Sequence, residues 1–120
     1  VMGVLAQRLV RRVCPACKVS RPATAEELER LGGGFPAGHP VHAGEGCPKC
    51  NRVGYRGQIG IYEFLATTPE IERMIMARKN ASDLREQAIK QGMLTLRQDG
   101  LAKAIEGITS PSEVLRVTQD

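Results

Sequence analysis

Four cysteines arranged as two Cys-Pro-x-Cys elements, Cys14 to Cys17 and Cys47 to Cys50, constrain this chain more than any other feature. Each short pair forms a tight knuckle in which two sulfurs converge on one ion, and the stretch from Lys18 to Gly46 has only to bring the knuckles together. The spacing predicts a tetrahedral, all-cysteine zinc site with Cys14, Cys17, Cys47 and Cys50 as ligands. Closing a long loop costs chain entropy, roughly 0.6 kcal/mol more for each doubling of its length, so metal binding is expected to be part of folding. The residue after the second cysteine of a knuckle often needs a left-handed backbone, which Asn51 tolerates well and Lys18 less readily.

Other uses of four cysteines fit less well. Disulfides need an oxidising compartment, which nothing in the sequence indicates, and a chain this rich in aliphatics does not need covalent staples. A thioredoxin-like pair requires a strand-to-helix junction, which neither element offers. An iron site of the rubredoxin kind uses the same knuckles, since four thiolates accept either metal. His39 and His42 lie near the second knuckle, but four cysteines already fill a tetrahedron, so both are expected to be solvated loop residues. The spacing Gly33 to Gly38 is a near-miss of a phosphate-binding loop; His39 and Pro40 stand where Lys and Ser or Thr are needed. No arrangement supplies a nucleophile with its base, so no catalytic residue is expected and the chain should perform no complete reaction alone.

The pattern along the chain predicts an α+β, mainly helical fold. Met2, Leu5, Leu9 and Val13 recur at helical spacing, with Gln7, Arg8, Arg11 and Arg12 on the wetter side, and Pro15 stops the helix. Thr24 and Glu27 form a capping box for a short helix that ends at Gly32-Gly33-Gly34, and a breaker-rich loop runs on to Gly46. After the second knuckle, Gln58 to Leu65 reads as a strand, which must pair in a short hairpin or join a sheet this fragment lacks. Helices follow from Pro69, from a cap at Asn80 or Ser82, along the stripe Leu101, Ala104, Ile105 and Ile108, and from the capping box Ser110 to Glu113. Three parts are expected: 1–13, a helix continuing from a missing core; 14–57, the tetracysteine module; and 58–120, the strand and a small C-terminal helical bundle. The missing initiating Met predicts a piece of a longer polypeptide.

Aromatics make up only 3%, so the core must be aliphatic, and a formal charge of +4 favours an acidic partner without demanding one. A nucleic-acid-binding zinc ribbon using Arg8, Arg11, Arg12 and Lys18 is the alternative function, but few aromatics are available to stack on bases. The expectation is no nucleic acid. No apolar run approaches the roughly 20 residues needed to span a bilayer, so a cytosolic chain is expected.

The linear order of motifs resembles a known family. Leu5-Ala6-Gln7-Arg8-Leu9-Val10-Arg11 leads into the first cysteine pair, and the second is followed by Gly54-Tyr55-Arg56-Gly57 and Gly60-Ile61-Tyr62-Glu63. This resembles the C-terminal part of the type II secretion ATPase GspE and its type IV pilus relative PilB. Thr95 to Leu101, Gly107 and Glu113 to Thr118 look more like the secretion branch. The resemblance implies the zinc subdomain and terminal helices of a hexameric cytoplasmic ATPase, docked at the inner membrane through platform proteins and neighbouring subunits, without membrane insertion. It also implies that the parent uses ATP and Mg2+ to drive pseudopilus assembly and protein export, from motifs lying before Val1. Two departures are visible: Gln58 and Ile59 stand where the family often has Arg and Thr, and the loop from Gly32 to Gly46 is unusually glycine-rich.

Overall fold

A computed structural model of the chain describes residues 3–32, 35–36 and 38–118. Val1, Met2, Gly33 and Gly34, which entered the helix, triple-glycine and phosphate-loop expectations, lie outside the described residues. Among those described, the fold is α+β, with five helices and two small antiparallel sheets.

The first correction concerns residues 1–13, expected as a helix. Gly3–Val13 is a strand, β1, antiparallel to β4 (Tyr55–Ala66) in a register running from Gly3 opposite Ala66 to Val13 opposite Tyr55. Helical periodicity lost to long-range pairing. Val10 and Ile61 face the same side of this sheet and are fully buried, while Leu5 and Leu9, expected to point inward, are 61% and 49% exposed. β-Branched Val4, Val10 and Val13 suit a strand, and here a partner strand was available to outweigh local preference. The strand expected at Gln58 to Leu65 is β4, and its pairing need is met inside this chain.

Everything from Cys14 to Gly54 is inserted between these paired strands. β2 (Lys18–Pro22) pairs antiparallel with β3 (Pro40–Gly44), which occupies part of the stretch expected as loop. Between them, α1 (Ala25–Leu31) begins with the expected reciprocal capping box of Thr24 and Glu27 and stops at Gly32, whose φ of 62° is left-handed.

α2 (Pro69–Met76) and α3 (Ala81–Lys90) are capped by Thr68 and Asn80, whose side chains accept from the amides of Ile71 and Asp83. α4 (Leu96–Ile105) carries a capping box of Thr95 and Gln98, and α5 (Pro111–Thr118) starts where Ser110 Oγ accepts from Glu113 N. Instead of one bundle, the helices form two pairs, α2 with α3 and α4 with α5, and the second pair also packs on the β1–β4 sheet. Contact there is close: a Cβ on Gly100 of α4 would sit 2.7 Å from Val114 Cγ1 and 3.3 Å from Ile61 Cδ1. One core cluster joins Leu31, Phe35 and Val41 of the insertion to Leu101, Ala104, Val114 and Leu115. As the composition predicted, it is mostly aliphatic.

Candidate metal centre

The register of β1 against β4 builds the site. With Val13 opposite Tyr55, Cys14 leaves the end of one strand beside Gly54 at the start of the other, and Cys14 N donates to Gly54 O at 3.0 Å. The first knuckle closes when Cys17 N reaches Cys14 O at 3.3 Å. The second is a short 3-10 turn, Pro48–Cys50, in which Cys50 N and Arg52 N both donate to Cys47 O. Asn51 follows it at φ 55°, the left-handed conformation expected there. Lys18, by contrast, runs straight into β2, so the first knuckle needs no such residue.

All four Sγ atoms lie within 4.8 Å of one another. Cys14 to Cys47 and Cys17 to Cys50 are 3.8 Å apart, and Cys47 to Cys50 is 3.7 Å. A tetrahedron of sulfurs about 2.3 Å from a central zinc has edges of about 3.8 Å. These separations are far longer than the roughly 2.05 Å of a disulfide, and all four cysteines are free. The cluster could hold a metal ion. His39 and His42 are not part of it: His39 stacks edge-on against Phe35, and His42 Nδ1 sits 3.2 Å from Ser20 Oγ.

Backbone amides aim at the sulfurs. Gly46 N donates to Cys17 Sγ at 3.4 Å, while Cys47 N and Gly54 N donate to Cys50 Sγ at 3.3 and 3.2 Å. The sequence reading missed Gly46 and Gly54 as participants. Their signal was position, directly before one knuckle and four residues after Cys50. Gly54 has φ 89°, and a Cβ there would meet Gly44 O at 2.5 Å, so no larger residue fits. Burial pushes the Cys50 thiol up, but its amide donors and neighbouring thiols win, pulling it down to about 6. Burial, reinforced by the surrounding thiols against the Gly46 amide, pushes Cys17 up to about 12. One thiolate therefore forms readily, while burial and then the neighbouring thiols resist the next, a demand that a divalent cation would satisfy.

The family described as "Type II/IV secretion system protein" matches residues 1–116. The chain belongs to this family. It is 46% identical over 98% of its length to the type IV pilus assembly ATPase PilB of Thermus thermophilus, covering 14% of that protein. It is 42% identical over its whole length to type II secretion system protein E of Pseudomonas aeruginosa, covering 24%. A second pilus ATPase, TfpB of Acinetobacter baylyi, is 40% identical over 98% of the chain and is covered to 20%. This secretion-family chain thus spans a quarter or less of the length of these relatives, and pilus and secretion relatives stand at similar distances.

The arginines expected to share one basic face are dispersed by the strand. Arg11 is bound in an ion pair with buried Glu113 at 2.9 Å and lies 4.4 Å over the Tyr55 ring, whereas Arg8 and Arg12 line separate grooves. No helix among the described residues is long and apolar enough to cross a membrane.

Proposed function

We propose that this chain is the zinc-binding C-terminal part of a secretion-system ATPase, of the type II secretion or type IV pilus kind, and that its role within that enzyme is structural and interaction-mediating. The observation that carries the metal reading is that four sulfurs lie within 4.8 Å of one another, three of their separations being 3.7–3.8 Å, close to the edge length of a zinc–thiolate tetrahedron. Cys14, Cys17, Cys47 and Cys50 are the ligands. The metal fixes the insertion from Cys14 to Gly54 so that it presents a rigid surface to platform proteins at the inner membrane or to a neighbouring subunit. The parent hydrolyses ATP to power pseudopilus or pilus assembly, with nucleotide and Mg2+ held outside these 120 residues. The dispersal of Arg8, Arg11 and Arg12 weighs against the nucleic-acid alternative.

Metal analysis of the purified chain before and after chelation, with circular dichroism alongside, tests this reading. The expected result is about one zinc per chain and, on its removal, loss of structure confined mainly to residues 14–54. Visible colour and absorption would identify iron instead. A chain that folds fully without metal, or whose cysteines are oxidised to one another, would overturn the proposal.

A further inference from the structure

Beside the first knuckle lies an open cleft of about 520 Å³ whose walls come from four parts of the chain. Arg12 and Val13 enter from the end of β1, Pro15 and Lys18 from the first knuckle, Arg56 from the start of β4, and Glu106, Gly107 and Ile108 from the turn between α4 and α5. Three cations thus face a single carboxylate. All three are exposed, and among the described residues none of Arg12, Lys18 and Arg56 forms an ion pair. Arg11, by contrast, next to Arg12 on β1, is held by Glu113 of α5. The walls are fixed before any ligand arrives, because Val13 N donates to Ile108 O at 2.9 Å and Lys18 Nζ reaches Gly107 O at 3.3 Å.

The geometry points to this cleft as the binding site for a carboxylate-bearing peptide segment of a partner protein. Guanidinium groups match carboxylates in bidentate fashion, and Arg12 and Arg56, which form no ion pair among the described residues, break none when an acidic chain docks. A compact phosphate is less suited. Phosphate sites favour the amide-rich start of a helix, and none of the residues lining this cleft opens one. Between the charges, Val13, Pro15 and Ile108 offer apolar surface for the alternate side chains of an extended peptide. The inference goes beyond the metal reading by naming where, and to what chemistry, this face binds.

The test titrates the 120-residue chain with a fluorescent peptide alternating Glu and Leu, a matched Lys and Leu peptide, and inorganic phosphate as competitor. Expected are binding of the acidic peptide only, loss of affinity at raised salt, and a weakening of about tenfold or more in the Arg12→Gln, Arg56→Gln double variant. Gln58→Glu, which adds an acid to the cleft and removes no arginine, should weaken binding too, while Arg8→Gln in the separate groove should leave it unchanged. Equal weakening by Arg8→Gln, tight binding by the double variant, or displacement by phosphate at the peptide's own concentration would overturn the assignment. Zinc content is measured on every sample. A metal-free chain that still binds through Arg12 and Arg56 would remove the metal reading and leave this one standing.

Discussion

The insertion from Cys14 to Gly54 and the α4–α5 pair are held by different physics. In the insertion, β2 is exposed at every position, and among the described residues the buried side chains are few: Cys14, Leu31, Phe35, Val41 and Cys50. Two of those five are thiols, so much of what organises this region is sulfur rather than apolar area. In α4 and α5, Leu101, Ala104, Val114 and Leu115 are buried in the cluster that also takes in Leu31, Phe35 and Val41 of the insertion, and Glu113, 2% exposed, is buried among arginines. To the core they share, the insertion adds a cluster of four cysteines that could hold a metal ion, and the helical pair adds a charge cluster. A short, loop-rich segment buries too little surface to fix itself, and the four cysteines lie there and not in the helical pair.

The two regions should therefore respond differently to substitution. The largest effect is expected from the sulfurs: Cys50→Ser, or chelation, should release the metal and unfold the insertion, since binding of structural zinc is worth about 10–16 kcal/mol in small peptides. Hydrogen exchange should then show lost protection in residues 14–54 with α4 and α5 still protected. Next is the packed side. Ile61→Ala, at a fully buried position, should cost about 2–5 kcal/mol in denaturant unfolding while leaving zinc content unchanged.

Smaller, and diagnostic of the charge cluster, is Glu113→Gln, expected to cost about 2 kcal/mol because Arg11 N, Arg11 Nε and Arg116 lose a charged acceptor. Burial pushes this carboxyl up, but hydrogen bonds from Arg116 and Arg11 overcome it and hold it down at about 2, against an ordinary 4.5. A depressed acid stabilises the fold above its unfolded value and loses that contribution as pH falls, so stability should decline from about pH 4.5 toward 2. The variant should flatten that limb, leaving the part contributed by Glu27, held to about 2 chiefly by Arg21. The smallest effect is Asn80→Ala, which removes the cap on α3 and should cost about 1 kcal/mol with no change in metal affinity.

How legible each region was follows from the range of its interactions. The knuckles and the Thr24, Thr68, Asn80 and Ser110 caps could be read from neighbouring residues, because each depends on contacts within a few positions. The Thr95–Gln98 box was equally readable in form and was passed over. β1 was misread because Leu5, Leu9 and Val13 mimic a helical stripe, and only residues 55–66, distant in sequence, decide against it. β3 was hidden in a glycine- and proline-rich stretch, where its pairing with Lys18–Pro22 leaves no apolar alternation to detect. Likewise Glu113 looked like an ordinary capping-box acid, and its carboxylate instead reaches Arg11 on β1.

Val13 and Tyr55 lie across from one another in the register, so the polypeptide departs from the sheet and rejoins it at a single doorway. A segment anchored this way is modular. The stretch where α1 gives way to β3 can be lengthened without shifting a rung of the ladder behind it, as long as Phe35 keeps its place in the core. Sequence relatives should therefore vary most in length between Gly32 and Pro40, and least between either knuckle and the strand it adjoins.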